Sequence, residues 1–136
     1  MNTEIGQQDG YKPRILVVED DPSVRRSMQL FLRGRGFDVR TYATGDRLLL
    51  ESAREDRACL ITDYRLGESN GIALLTALRA QGWSGPAILM TAYPSREVKQ
   101  SAHAAGFDLF LEKPLREQTL VSAIARLTRL NPDMAT

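Results

Sequence analysis

The chain has 136 residues, 43% hydrophobic and 26% charged, proportions that suit one globular domain built around one core. Lysine and arginine together number 18 and aspartate and glutamate 17, so no global field points to nucleic acid or a membrane surface. The single Cys59 excludes an internal disulfide or a cysteine metal cluster and suits a reducing compartment.

Residues 1–12 are polar, contain two glycines and are expected to form a loose tail. Arg14 to Val18 is a short apolar run that breaks into Glu19-Asp20-Asp21-Pro22. Asp21 followed by Pro22 predicts a helix start, with Asp21 as N-cap, and Val24, Met28, Phe31 and Leu32 then recur on one face. Phe37, Val39 and Thr41 alternate with Asp38 and Arg40, the pattern of a half-exposed edge strand. Thr44 is placed to cap a second helix carrying Leu48, Leu49 and Ala53. A third apolar run, Cys59 to Thr62, ends in Asp63 and a glycine-containing loop. Asn70-Gly71 leads into a helix with Ile72, Leu75 and Leu78 inward. Gly82 and Gly85-Pro86 precede the strand Ala87 to Met90, which ends in Thr91-Ala92-Tyr93-Pro94.

The fourth helix, about Ser95 to Ala105, offers only Val98, Ala102 and Ala105 as an apolar face and is expected to be the least firmly packed element. Leu109 and Leu111 alternate with Asp108 and Glu112 in a second edge-like strand, closed by Lys113-Pro114. A last helix carries Leu120, Ile124 and Leu127, and residues 131–136 read as a tail. No signal-peptide-like run opens the sequence and no long apolar span follows, so a cytoplasmic location without membrane attachment is expected.

Five strand–helix units in alternation imply an α/β domain over residues 13–130: a doubly wound five-stranded parallel sheet with helices on both faces. The three wholly apolar strands belong at the centre and the two alternating ones at the edges. Right-handed winding then gives the order 2-1-3-4-5, whose switch point lies between strands one and three. Glu19, Asp20 and Asp63 land there. Three carboxylates in one crevice repel each other by several kcal/mol, so one holds a proton or a cation sits among them. Oxygen ligands with room for water favour magnesium, with Asp20 and Asp63 as ligands and Glu19 acting through water. Thr91 adds a hydroxyl and Lys113 a point charge at the remaining strand ends, which completes the elements of a phosphoryl-transfer site with Asp63 as acceptor. Only Lys12, Lys99 and Lys113 are lysines among so many arginines, which further marks Lys113.

With these motifs in register, the chain resembles a response-regulator receiver domain, a flavodoxin-like fold, over about Arg14 to Leu130. The motifs are Glu19-Asp20 after strand one, Asp63 after three, Thr91-Ala92 after four and Lys113-Pro114 after five. The resemblance implies a non-enzymatic phosphoacceptor that assists its own phosphorylation and dephosphorylation. Asp63 would take a phosphoryl group from a sensor histidine kinase or a phosphotransfer protein. Asp20, Asp63 and the main-chain carbonyl of Arg65 would hold Mg2+, or Mn2+ in its place. Thr91 and Lys113 would contact the phosphoryl oxygens, the Lys113–Pro114 bond would be cis, and Phe110 would be the rotating switch aromatic.

The helix 4/strand 5/helix 5 face would carry the signal to a downstream target or an output domain outside this chain, or to a second copy in a homodimer. Three features depart from the family pattern. Gly67 stands where proline is usual, which predicts a looser loop, and Phe110 lacks the commoner tyrosine hydroxyl. Arg65 and Tyr93, both large, flank the phosphoryl position and would hinder the attacking water.

Two rival functions share the fold class. One is a receiver-fold interaction module independent of phosphorylation, disfavoured because every chemical residue is present. The other is a Mg2+-dependent phosphohydrolase with an aspartyl-phosphate intermediate, whose usual second acid two residues after the nucleophile is here Arg65. A flavodoxin-like cofactor binder is disfavoured by the acidic first loop, where an anionic phosphate would need backbone donors. Blander roles are assigned to Asp21 as helix cap, to His103 as a solvated side chain, to Cys59 as a small buried residue and to Trp83 as packing over a loop.

Overall fold

The computed structural model describes residues 12–51 and 58–130. The expected tails, apart from Lys12, and Ala53 lie outside them. Among the described residues five strands form one parallel sheet: β1 (Arg14–Val18), β2 (Asp38–Tyr42), β3 (Cys59–Asp63), β4 (Ala87–Thr91) and β5 (Leu109–Glu112). The order is β2-β1-β3-β4-β5. Every neighbouring pair is parallel, with Val18 opposite Thr62, Asp63 opposite Met90 and Thr91 opposite Glu112. This is the flavodoxin-like winding expected from the three apolar central strands.

The helices are α1 (Pro22–Gly34), α2 (Gly45–Glu51), α3 (Gly71–Ala80), α4 (Arg96–Ala105) and α5 (Glu117–Leu130). Alternate residues of each central strand feed two cores, one on each face of the sheet. On one face Ile15, Val17, Ile61 and Met90 meet Met28 and Leu32 of α1 and Leu120 and Ile124 of α5. On the other, Leu16, Val18, Leu60 and Leu89 meet Leu48 of α2, Leu74, Leu75 and Leu78 of α3 and Ala102 of α4. Each fully buried leucine or isoleucine contributes about 1.5–3 kcal/mol of apolar burial. The two layers therefore hold the sheet from both sides and leave its ends and edges open.

Local chemistry sets the helix starts. Asp21 accepts from the amides of Ser23 (2.8 Å) and Val24 (3.1 Å), as its place before Pro22 predicts. Asn70 caps α3 through Ala73 N at 2.8 Å, and Ser95 caps α4 through Val98 N at 3.1 Å. Thr44 precedes α2 but makes no capping hydrogen bond among the described residues.

Three expectations about packing change. Val24 stays 36% exposed, at the rim of the α1 contact. In β5 Leu109, Phe110 and Leu111 are all half-buried, so the strand does not alternate cleanly. Trp83 does not cover a loop; it is 2% exposed, inside the α2/α3/α4 core. Arg79 stacks on its ring at 5.1 Å and donates to the carbonyls of Trp83 (3.2 Å), Gly85 (2.8 Å) and Gly106 (3.3 Å). One guanidinium thus ties the end of α3 to the C-cap of α4. Among the described residues no helix is long and apolar enough to cross a membrane.

Candidate functional site

The C-terminal ends of the central strands converge at the switch point between β1 and β3. When β1 stops at Val18 the chain turns into Glu19 and Asp20. Glu19 is 1% exposed, yet both its oxygens are engaged. Oε1 accepts from Lys113 Nζ at 3.0 Å and Oε2 from the Asp21 amide at 3.1 Å. Burial pushes the Glu19 carboxyl above its usual range, with the Lys113 hydrogen bond opposing that push. Asp20 is exposed and its Oδ2 accepts from the Gly67 amide at 3.3 Å.

Asp63 closes β3 and is 9% exposed. Its Oδ2 accepts from Lys113 Nζ at 2.8 Å. Burial works against the Lys113 ammonium, but its hydrogen bonds to Asp63 and Glu19 outweigh that, and its pKa is raised. The strand can end so close to a helix because the next helix opens with glycine. A β-carbon on Gly71 would lie 2.6 Å from the Asp63 carbonyl oxygen and 2.8 Å from Leu89 Cδ1. Between them, residues 65–70 form a small hairpin, Arg65–Leu66 against Ser69–Asn70. Gly67 sits at its turn with φ of 62°. Gly67, at this turn, also donates its amide to Asp20.

One oxygen each from Glu19, Asp20 and Asp63 lie within 4.8 Å of one another. All three are hard donors, Asp20 is open to solvent, and a single ammonium serves two of them. That donor set fits a small oxygen-loving divalent cation, and magnesium above all.

Thr91 and Lys113 arrive from the two strands beyond β3. Thr91 is buried and its Oγ1 accepts from the Tyr93 amide at 3.1 Å, so its hydroxyl hydrogen stays available to donate. Lys113 N donates to the Thr91 carbonyl at 2.8 Å, and the Lys113–Pro114 peptide is cis. Phe110 is half-buried against the α2/α3/α4 core, with Lys99 Nζ 5.7 Å from its ring centroid. Tyr93 is 70% exposed, and the Arg65 guanidinium stacks on its ring at 5.4 Å. The two bulky residues singled out together from the sequence thus stack on each other at the rim.

Two supports of the site are not legible in the sequence. Arg25 Nη1 donates to the carbonyl of Glu19 at 2.8 Å and lies 3.5 Å from that of Asp20, fastening the acidic turn from one helical turn away. The second is the Gly67 amide on Asp20. Neither belongs to a motif; a basic residue in the first turns of α1 is the only hint of the former. His103 is exposed. Burial pushes the Cys59 thiol up to about 12.

Comparison with known proteins agrees with this geometry. The family model described as the response regulator receiver domain matches residues 15–125. The chain is 32% identical over 126 residues to the transcriptional regulatory protein TdiR of Thauera aromatica, covering 93% of this chain and 56% of that protein. It is 38% identical over 116 residues to the C4-dicarboxylate transport transcriptional regulatory protein DctR of Rhodobacter capsulatus, covering 80% of this chain and 58% of that one. The chain therefore spans less than three-fifths of these curated relatives. Among solved structures, the Vibrio cholerae chemotaxis protein CheY4 superposes with a TM-score of 0.79 at 29% identity, over 86% of this chain and 99% of that one. A five-stranded 2-1-3-4-5 sheet, an acidic pocket of Glu19, Asp20 and Asp63 at its switch point and a family match across most of the chain lead to one conclusion: this chain belongs to the response regulator receiver family.

Proposed function

We propose that residues 13–130 form a phosphoacceptor module of a two-component or phosphorelay system, with Asp63 as the acceptor. The observation that carries this reading is the Asp63 carboxylate itself. It ends the central strand with Oδ2 fixed by Lys113 at 2.8 Å and with Glu19 and Asp20 oxygens within 4.8 Å. Oδ1 makes no hydrogen bond among the described residues and is the nucleophile. It attacks phosphorus of a phosphohistidine on a sensor kinase or phosphotransfer protein. The P–N bond breaks and its electron pair stays with the imidazole, leaving an acyl phosphate on Asp63.

Asp20, Asp63 and the main-chain carbonyl of Arg65 would hold Mg2+, or Mn2+ in its stead, with Glu19 behind them through water. Bound there, the ion offsets the charge of the carboxylates and of the phosphoryl oxygens. Lys113 and the Thr91 hydroxyl donate to those oxygens. As Thr91 turns to do so, Phe110 repacks beneath α4, and the α4–β5–α5 face passes the change to a downstream protein, an output domain or a second copy. This is a population shift between two packings a few kcal/mol apart. Arg65 and Tyr93 shield the acyl phosphate from water. The expected setting is the cytoplasm.

The test is incubation with acetyl phosphate followed by intact-mass spectrometry. A Mg2+-dependent adduct on Asp63, lost in Asp63→Asn and on chelation, is the expected result. A protein that takes no phosphoryl group yet binds its partners would be an interaction module instead, and steady turnover of a phosphate ester would make it a hydrolase.

A further inference from the structure

Away from the carboxylates, positive charge gathers around the free edge of β2, the outermost strand. A cleft of about 730 Å³ there is lined by Arg25 and Arg33 of α1, Arg40 of β2 and Arg47 of α2. A chain with a formal net charge of only +1 thus concentrates four guanidinium groups from three elements in one place. None of the four forms an ion pair with a described acid. The two acids of the cleft are engaged elsewhere: Asp38 pairs with Arg14 at 2.7 Å, and Glu51 accepts from the Tyr42 hydroxyl at 3.1 Å. Arg25 is turned to the Glu19 carbonyl and Arg40 lies against the Tyr42 hydroxyl, which leaves Arg33 and Arg47 as the groups facing outward without such a contact among the described residues.

The backbone at the same place is a sheet edge. Asp38 N donates to the Pro13 carbonyl and Glu19 N to the Tyr42 carbonyl, so Asp38, Arg40 and Tyr42 direct their main-chain groups toward β1. Val39 and Thr41 direct theirs away from the sheet. Nothing among the described residues pairs with them. Val39 is buried, and half-buried Thr41 is the reachable part of this edge.

We propose that the β2 edge is the docking site for an extended acidic segment of a partner protein, which adds to the sheet beside Thr41 and places its carboxylates on Arg33 and Arg47, with Arg40 between them adding to the positive field. The arrangement matches the two faces of a strand. α1 packs on one face of the sheet and α2 on the other. Alternating side chains of an added strand therefore meet Arg33 on one side and Arg47 on the other. Guanidinium forks bind carboxylates in pairs of parallel hydrogen bonds, which adds orientation to attraction. A second copy of this chain is a poor occupant, because edge-to-edge pairing would bring two arginine sets together. Single-stranded nucleic acid would use the charge but also needs exposed aromatic rings to stack on, and Tyr42 is only 8% exposed.

The experiment titrates a fluorescent peptide with a run of consecutive glutamates flanked by valines, which presents carboxylates on both faces of an extended strand, into the whole chain at low salt, read by anisotropy, with backbone amide exchange followed by NMR. Saturable binding is expected, weakened about ten-fold by Arg33→Glu with Arg47→Glu and by added salt, with slower exchange at Thr41. Urea midpoints of the variants establish that they remain folded, and Arg33→Lys with Arg47→Lys should restore part of the affinity. The proposal is overturned if no saturable binding occurs up to about 1 mM, a limit equal to roughly −4 kcal/mol. Binding that leaves Thr41 exchange unchanged, or tighter binding by a short oligonucleotide or tripolyphosphate, overturns it equally.

Discussion

α3 and α4 are both ten residues long and cover the same face of the sheet, yet they are held very differently. α3 buries Gly71, Leu74, Leu75 and Leu78, and it follows β3, which is buried along its whole length. α4 buries Ala102 alone, and β5 beside it is half-buried at three residues and exposed at the fourth. The β3–α3 unit carries Asp63 and the α4–β5 unit carries Phe110. The proposed phosphoryl chemistry needs donors fixed to a fraction of an ångström, whereas the proposed readout needs a part with little packing to lose. The two requirements are met by different helices over one shared core.

Cys59 reports how tightly the β3 side is closed. With its thiol raised to about 12, alkylation by iodoacetamide at pH 8.5 should be roughly a thousand-fold slower in the folded protein than in urea. Because the folded pKa lies above the unfolded one, Cys59 favours the folded state below the ordinary thiol range. That contribution is lost as pH climbs from there toward about 12. A native rate within ten-fold of the unfolded one would mean that β3 opens locally, and the contrast with α4 would fail.

Truncation measures the same contrast as stability. Leu75→Ala should cost about 3 kcal/mol in urea unfolding, and Val98→Ala on α4 about 1 kcal/mol or less. Native-state exchange should rank the helices the same way, with α4 amides opening at lower free energy than those of α3. Equal losses for the two variants would contradict the division of labour. The smallest effect concerns the rim. Replacing both Arg65 and Tyr93 with alanine should speed loss of the acyl phosphate a few-fold, about 1 kcal/mol in barrier height. If the lifetime is unchanged, the stacked pair does not shield the site.

Much of this was legible because the strongest signals are periodic or terminal. Ile15 to Val18, Cys59 to Thr62 and Ala87 to Met90 are apolar without alternation, which places them at the sheet centre. Their ends then bring Glu19, Asp20, Asp63 and Thr91 to one edge. Contacts between residues far apart in sequence carry no such signal. The stacking of Arg65 on Tyr93, the Gly67 amide on Asp20 and the Arg25 side chain on the Glu19 carbonyl all arise from loop conformations that no local period encodes. Trp83 was misplaced because it stands alone between glycines, and only the shape of the α3–β4 turn sends it inward.

The Arg79 clamp has a mechanical consequence. It holds the Gly106 carbonyl at 3.3 Å, so α4 is pinned at its C-terminal end to the stiff α3 side of the molecule. At its other end α4 meets the chain leaving Thr91 through Tyr93 and Ser95, where Tyr93 and Ser95 are exposed. A helix anchored at one end pivots rather than slides. Ten residues make a lever of about 15 Å, so a tilt of about 5° carries the Ser95 end roughly 1.3 Å while the Gly106 end stays in place. Travel is thus greatest next to the hydroxyl of Thr91, so the proposed turn of that side chain would be converted into displacement of a whole helix end.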